Sequence, residues 1–268
     1  MSIIIVTHNS QSVLPLCLGA LDRQTVSPWQ VIVVDSGSDD ISYLEKALQN
    51  NHCTVRQFSN IGFAAANNRG LQLVDNRCEY VLIINPDTFL QPTTIEKSLE
   101  IMSRAADVAV LTGVLEGYDP VRLSGTGKID STGIFRTWYG RWHDRGQGEK
   151  IGTSYQKPEY IPAVCGAFMF CRYQAVNDEL PALFDESFFM YKEDIELCMR
   201  FTKKGWKMYY SPEIKVFHCR GWDIKRGSVP RNKKIMSARN EIRMYRRHPS
   251  VYMIWAWLKY VLVRYLNV

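Results

Sequence analysis

Two acidic stations, about a hundred residues apart, have the composition of a transfer site. The first is Asn85-Pro86-Asp87, which follows the apolar run Tyr80-Val81-Leu82-Ile83-Ile84; the second is Glu193-Asp194, which follows Phe188-Phe189-Met190-Tyr191-Lys192. A carboxylate that ends an apolar strand stands at the rim of a sheet, where open α/β folds bind their ligands. Pro86 fixes its own φ and lacks an N–H donor, so the chain leaves the sheet there and Asp87 is offered to a hard cation such as Mg²⁺ or Mn²⁺. The second carboxylate, opening a helix, suits a general base; the competing reading is an acidic first turn that complements the helix dipole. A cation-held diphosphate on one side and a base facing a hydroxyl on the other are the equipment for moving a group between them.

The elements that must position these residues follow from periodicity. Residues 2–7, 30–34, 54–58, 80–84 and 108–112 read as buried strands, and 11–23, 41–49, 63–74 and 92–105 as helices, the last with Thr93 or Thr94 as cap. Strands alternating with helices of this length imply an α/β fold with a mostly parallel sheet and right-handed crossovers. The pattern breaks near Gly113, and residues 116–160, rich in Gly, Arg, Trp and Tyr, read as a long lid or acceptor-facing loop. Order returns at 160–172, followed by a helix over 192–204, short strands at 208–211 and 214–218, and helix from Arg231 onward, broken near His248-Pro249.

Other residues stand at the same rim. Asp35 follows Val31-Ile32-Val33-Val34 and could accept from a base N–H or a ribose hydroxyl, or simply cap a turn. Gly62, in Asn60-Ile61-Gly62-Phe63, allows close backbone approach before a helix start, where N–H groups favour anions, and Asn67 and Asn68 follow on that helix. His218 ends Ile214-Lys215-Val216-Phe217 and, returning late to the sheet edge, could complete a metal site.

The net charge of +6 is unevenly spread: residues 203–268 carry 16 Lys/Arg against 3 Asp/Glu, and the rest 17 against 24. An acidic body with a basic end suggests a segment that meets an anionic surface. Within 252–266, Trp255, Trp257, Tyr260 and Tyr265 interleave with Lys259 and Arg264, which suits a bilayer headgroup layer; a helix packed in a homodimer would look similar. The acidic body and the lack of RNA-binding motifs argue against nucleic acid. The seven cysteines form no C-x-x-C pair and read as reduced thiols of a cytosolic protein, in a chain that opens on a strand without a signal peptide. No run has the length and apolarity of a spanning helix.

In this order, Val6-Thr7-His8-Asn9, Val33-Val34-Asp35-Ser36-Gly37-Ser38, Asn60-Ile61-Gly62-Phe63 with Asn67-Asn68, Asn85-Pro86-Asp87, Gly166-Ala167-Phe168-Met169, Phe184-Asp185-Glu186, Glu193-Asp194-Ile195-Glu196-Leu197 and His218 resemble the family-2 glycosyltransferases of the GT-A fold. The likeness is to a bacterial branch that includes rhamnosyltransferases of cell-surface polysaccharide (O-antigen) assembly. It implies that Thr7, Asn9 and Asp35 hold the nucleoside and that Asn60, Gly62 and Asn67 line the nucleotide pocket. Asp87 would be the metal-binding aspartate and His218 a further metal ligand. Asp194 would be the base, with Glu193, Gly166 and Ala167 beside acceptor and donor sugar. Two departures stand out: Asn85 replaces the first aspartate of the D-x-D pattern and would contact ribose or sugar, and Glu196 stands where a second aspartate is frequent.

The expectation is therefore a GT-A domain over 1–222 with a basic amphipathic helical extension over 223–268. It would be an inverting, metal-dependent enzyme, peripheral on the inner face of a bacterial cell membrane. The first-choice donor is deoxythymidine-diphosphate rhamnose, ahead of a uridine-diphosphate hexose or galactofuranose, and the acceptor a polyprenyl-diphosphate-linked sugar. A nucleotidyltransferase would need a Gly-rich, cationic loop after the first strand, which His8-Asn9-Ser10 does not offer. A non-catalytic nucleotide-sugar-binding protein would not need Asp87, Asp194 and His218 together.

Overall fold

A computed structural model describes residues 1–48, 53–219 and 230–266. Its first half is the alternating pattern that the apolar periodicity predicts: β1 (Ser2–Thr7), α1 (Leu14–Asp22), β2 (Gln30–Ser36), α2 (Ser42–Leu48), β3 (Cys53–Phe58), α3 (Gly62–Leu71), β4 (Tyr80–Ile84), β5 (Thr88–Leu90) and α4 (Thr94–Arg104). Strands β3, β2, β1 and β4 lie side by side and parallel. Ile3, Ile4 and Ile5 are inaccessible to solvent, as are Ile32 and Val33 and Leu82 to Ile84. Each such side chain contributes about 1.5–3 kcal/mol on burial, which is why these runs carry no polar alternation. α4 starts where expected, but Thr93 makes no side-chain cap bond, and the Thr94 hydroxyl instead donates to the Lys215 carbonyl at 3.1 Å.

The second half departs from expectation. β6 (Val108–Asp119) is twice the predicted length, and the stretch read as a loop continues into β7 (Ser124–Ser131), β8 (Ile134–Arg136), β9 (Trp142–Asp144) and β10 (Glu159–Ile161). These strands are short or half exposed and glycine-rich, so they lack the buried apolar run that marks a central strand. The chain then forms β11 (Phe168–Arg172), α5 (Tyr173–Asn177), α6 (Glu193–Lys203), β12 (Lys207–His218), α7 (Arg231–Arg247) and α8 (Met253–Val261).

β11 runs antiparallel between β4 and β6, and β12 runs parallel to β6. The two short strands predicted at 208–211 and 214–218 are one strand with a register shift between Tyr210 and Lys215. At that bend the strands crowd so closely that a β-carbon on Gly113 would lie 2.2 Å from the Ile214 carbonyl oxygen. Beyond the bend, β12 pairs with β5 and sets His218 opposite Thr88, next in sequence to Asp87.

The C-terminal helices are tied to the body. Glu196, buried on α6, holds Arg200 at 2.9 Å and His248 Nε2, just past α7, at 3.0 Å. Burial works to raise its pKa, but these partners outweigh it and hold the carboxyl low. Position 196 is thus an anchor between helices. Buried Glu241 of α7 pairs with Lys259 of α8. The expected boundary between 222 and 223 lies outside the described residues. Among those residues no helix is long and apolar enough to cross a membrane, and all seven cysteines are free.

Candidate active site

Thr7 and Asp35 are register partners at the ends of β1 and β2. Their side chains meet through Tyr43 of α2: its hydroxyl lies 3.0 Å from Thr7 Oγ1 and donates to Asp35 Oδ1 at 3.3 Å. Ser38 completes the network, its N–H donating to Asp35 Oδ2 at 3.1 Å and its hydroxyl to Asp35 Oδ1. Asn9, with φ 51°, binds this loop from the other side: its N–H donates to Ser38 Oγ at 2.8 Å, and its amide exchanges hydrogen bonds with Asp39. The structure therefore joins Thr7, Asn9 and Asp35, and it adds Tyr43 and Ser38, which sequence reasoning had passed over as helix interior and turn.

Gly62 opens α3 with φ +81°, a conformation that costs glycine nothing. Its N–H donates to Ser36 Oγ at 3.2 Å, and a β-carbon there would strike the Phe189 ring. Asn60 is exposed, with its backbone against Gly37. Asn67 is buried; its amide donates to its own helix at Phe63 O, and its Oδ1 has no partner among the described residues, leaving one spare acceptor. Asn68 faces elsewhere, exchanging hydrogen bonds with the Phe184 backbone.

Asp87 sits in a tight turn in which Thr88 N donates to Asn85 O at 3.2 Å. His218 Nε2 lies 3.4 Å from Asp87 Oδ1, and on the other side of the ring Nδ1 lies 2.7 Å from Oδ2 of Asp130, a fully buried carboxylate on β7. Burial opposes a charge on the imidazole, but Asp87 and Asp130 outweigh it and lift the pKa to about 9. Asp130 lay in the misread loop, and its sequence signal was slight: an acidic residue between Ile129 and Ser131 with no strand-end signature. Among the described residues no group of three or more His, Cys, Asp or Glu could hold a metal ion. The donor set at Asp87 nevertheless fits one: a carboxylate oxygen and an imidazole nitrogen converge, with the ring oriented from behind by a second carboxylate.

Asp194 stands in the first turn of α6, after Lys192, whose φ is 73°. Its Oδ2 accepts from Gly166 N at 3.0 Å and its Oδ1 from Ile195 N at 2.8 Å. Burial raises its pKa against the pull of those two N–H groups. Glu193 is buried, with Oε2 lacking a hydrogen-bond partner among the described residues, and burial together with the Asp194 charge lifts its pKa to about 8.

Gly166 and Ala167 connect the stations. The Ala167 carbonyl accepts from Asn85 N at 3.2 Å and from Thr88 Oγ1 at 3.1 Å, flanking Asp87, while the adjoining Gly166 N–H holds Asp194. The Asp194 carboxylate and the turn that carries Asp87 are thus fastened to the same dipeptide.

A mostly parallel sheet thus carries an aspartate–histidine pair at its rim, with the buried Asp194 across one dipeptide. The sequence profile of Glycosyl transferase family 2 matches residues 2–180, and the chain belongs to that family. An N-acetylglucosaminyl-diphospho-decaprenol L-rhamnosyltransferase of Mycobacterium tuberculosis is 23% identical over 236 residues, 81% of this chain and 75% of the relative. Among solved structures, GalNAc-T7 with UDP, GalNAc and Mn²⁺ superposes with a TM-score of 0.70 at 16% identity, covering 91% of this chain and about half (48%) of that one. The mannosyltransferase PcManGT of Pyrobaculum calidifontis, in complex with GDP-Man and Mn²⁺, does so with 0.63 at 15% identity, covering 99% and 70%. The fold is GT-A.

Proposed function

We propose that the chain is an inverting, metal-dependent glycosyltransferase that moves rhamnose from deoxythymidine-diphosphate rhamnose to a polyprenyl-diphosphate-linked sugar, at the inner face of a bacterial cell membrane. The observation that carries the chemistry is the shared dipeptide: Gly166 holds Asp194 while Ala167 holds the turn of Asp87. In this reading Thr7, Asn9 and Asp35 hold the nucleoside, and Asn60, Gly62 and Asn67 line the nucleotide pocket. Asn85 contacts ribose or sugar. Asp87 and His218 Nε2 would hold Mg²⁺ or Mn²⁺, which when bound supplies positive charge to the departing diphosphate. Asp194 takes the proton of the acceptor hydroxyl. That oxygen attacks C1 from the face opposite the diphosphate, and the C1–O bond breaks with its electron pair leaving on the nucleoside diphosphate, so the anomeric centre inverts. Glu193, Gly166 and Ala167 border the two sugars.

Donor and acceptor follow the mycobacterial relative, whose name gives a rhamnosyl group and a decaprenol-linked acceptor. Membrane attachment is inferred from Ile254, Leu258, Val261 and Tyr265. They recur at helical spacing, and Ile254 and Tyr265 are 77% and 72% exposed, beside the cationic α7. Residues 1–222 form the transferase domain in this reading, and 223–268 its extension.

A thermal-shift panel of nucleotide sugars with and without Mn²⁺ or Mg²⁺ tests the reading. Deoxythymidine-diphosphate rhamnose is expected to give the largest shift, and only with the cation. A larger shift with a uridine-diphosphate hexose or galactofuranose overturns the donor, and no shift with any of them overturns the transferase reading.

A further inference from the structure

The turn that delivers Asp194 is strained, and one side chain from the C-terminal extension holds it. Phe189, Tyr191 and Lys192 have φ of 56°, 74° and 73°, in the left-handed region where the β-carbon of a non-glycine residue is crowded. Such a conformation persists only where the surroundings over-determine it. Here the surroundings converge on Asn240, buried on α7. Its Nδ2 donates to the carbonyls of Phe188, Met190 and Tyr191 at 2.8, 2.8 and 2.9 Å. Two amide hydrogens thus serve three acceptors. The opposite end of the amide accepts from Arg243 Nη1 at 2.6 Å, and that guanidinium lies 5.8 Å from the centre of the Phe188 ring. With its carbonyl taken by a guanidinium, the amide can only present its NH₂ to the turn.

The clamped turn faces two ways. Its Phe189 carbonyl accepts from Ala64 N at the start of α3, and its Lys192 carbonyl accepts from Glu196 N at the start of α6. The shape of residues 188–192 therefore fixes the proposed base helix relative to α3, which carries Gly62 and Asn67 of the proposed nucleotide pocket.

We infer that Asn240 is a positioning residue for transfer: by clamping three carbonyls of the strained turn, it sets where the Asp194 carboxylate stands relative to the donor. This rests on the assignment of Asp194 as base. Asn240 is buried, with both ends of its amide engaged by the turn and Arg243, so its loss should lower turnover and leave donor affinity unchanged; a misplacement of about 1 Å at a reacting group can cost on the order of a hundredfold in rate.

The test uses the full chain with Asn240→Ala, Asn240→Asp, which puts a carboxylate against the three carbonyls, and Arg243→Met, which keeps the amide and frees its carbonyl end. Amide hydrogen exchange of the 184–195 segment needs no substrate. It should quicken at least tenfold in Asn240→Ala while β1 and β4 exchange as before. With the donor selected by the thermal-shift panel, kcat should fall roughly ten- to a hundredfold with KM for donor within twofold, and Arg243→Met should fall between Asn240→Ala and the parent. A second-site test separates positioning from packing. Tyr191→Gly removes the β-carbon that makes this φ unfavourable, so Asn240→Ala should cost less on the Tyr191→Gly background than on the parent. Unchanged exchange in the turn overturns the clamp, even if no donor is found. Faster exchange with unchanged kcat, or equal cost on both backgrounds, overturns the positioning role. Loss of turnover in Asp194→Asn, with Asn240→Ala unaffected, isolates that failure from the base assignment.

Discussion

The two carboxylate stations invite comparison because they use the same side chain for opposite ends. Asp87 is carried by a turn on the sheet and backed by a rigid relay: β7 holds Asp130, Asp130 holds His218, and His218 meets Asp87. In the cation-free protein Asp87 and Asp130 lift the pKa of the neighbouring His218 to about 9, and a cation held at Nε2 would displace that proton. Asp194 instead rides on a turn that strays into the left-handed region, beside a buried Glu193 with a pKa near 8. One station sets its carboxylate against an imidazole that a second carboxylate orients from behind. The other excludes water from a carboxylate pair and raises the basicity of both members. In the proposed reading, position in the fold, more than residue type, separates a cation holder from a proton acceptor.

The comparison breaks most sharply at Asp194. Asp194→Asn should lower kcat by about 10²–10⁴, the usual contribution of a general base, with nucleoside-diphosphate affinity by calorimetry unchanged; residual turnover near the parent value would sink the base assignment. Next is the relay. Asp130→Asn leaves both proposed ligands in place but weakens the orientation of His218, and Mn²⁺ affinity should fall by about 10–100-fold in a titration of donor binding. His218→Ala should abolish that response, and an unchanged titration in either variant would detach the relay from cation binding. The pH dependence of stability should be gentler and of known sign. Glu193 has a folded pKa of about 8 against the ordinary 4.5, so between those pH values the folded state binds the extra proton. Stability should then fall as pH rises through that window; Glu193→Gln should flatten the slope in urea titrations, and an unaltered slope would refute a buried neutral Glu193. The smallest effect is expected at the C-terminal helix. Ile254→Ser with Tyr265→Ser should lower binding to anionic liposomes several-fold, as sedimentation would measure, with Tm nearly unchanged. Truncating α8 is a poorer test, because removing Lys259 strands the buried Glu241 at a cost of about 3–5 kcal/mol.

How much could be read beforehand follows the same division. The Asp87 half was legible because Ile3-Ile4-Ile5 and Val81 to Ile84 are buried on both faces and leave unbroken apolar runs. Strand ends then named Asp35 and Asp87, and the family resemblance added Thr7. Asp130 was not legible: β7 is exposed along its first residues and buried only at its end, so it shows neither an apolar run nor regular alternation. The Asp194 half was legible in its acidic residues but not in what holds them. Asn240 and His248 meet the turn and α6 across about fifty residues, and no spacing rule announces a contact of that range. Gly166-Ala167 was expected beneath the sugars; that it fastens both stations emerges only from hydrogen bonds between β11, β5 and α6.

The bend in β12 has an evolutionary corollary. Side chains along a strand alternate faces with a period of two, so a single-residue deletion between Ser211 and Ile214 would leave Met208 and Tyr210 in the core while rotating the last segment by half a period, turning His218 away from the rim. The proposed cation site could thus be lost through one codon, with the framework of the sheet inherited intact.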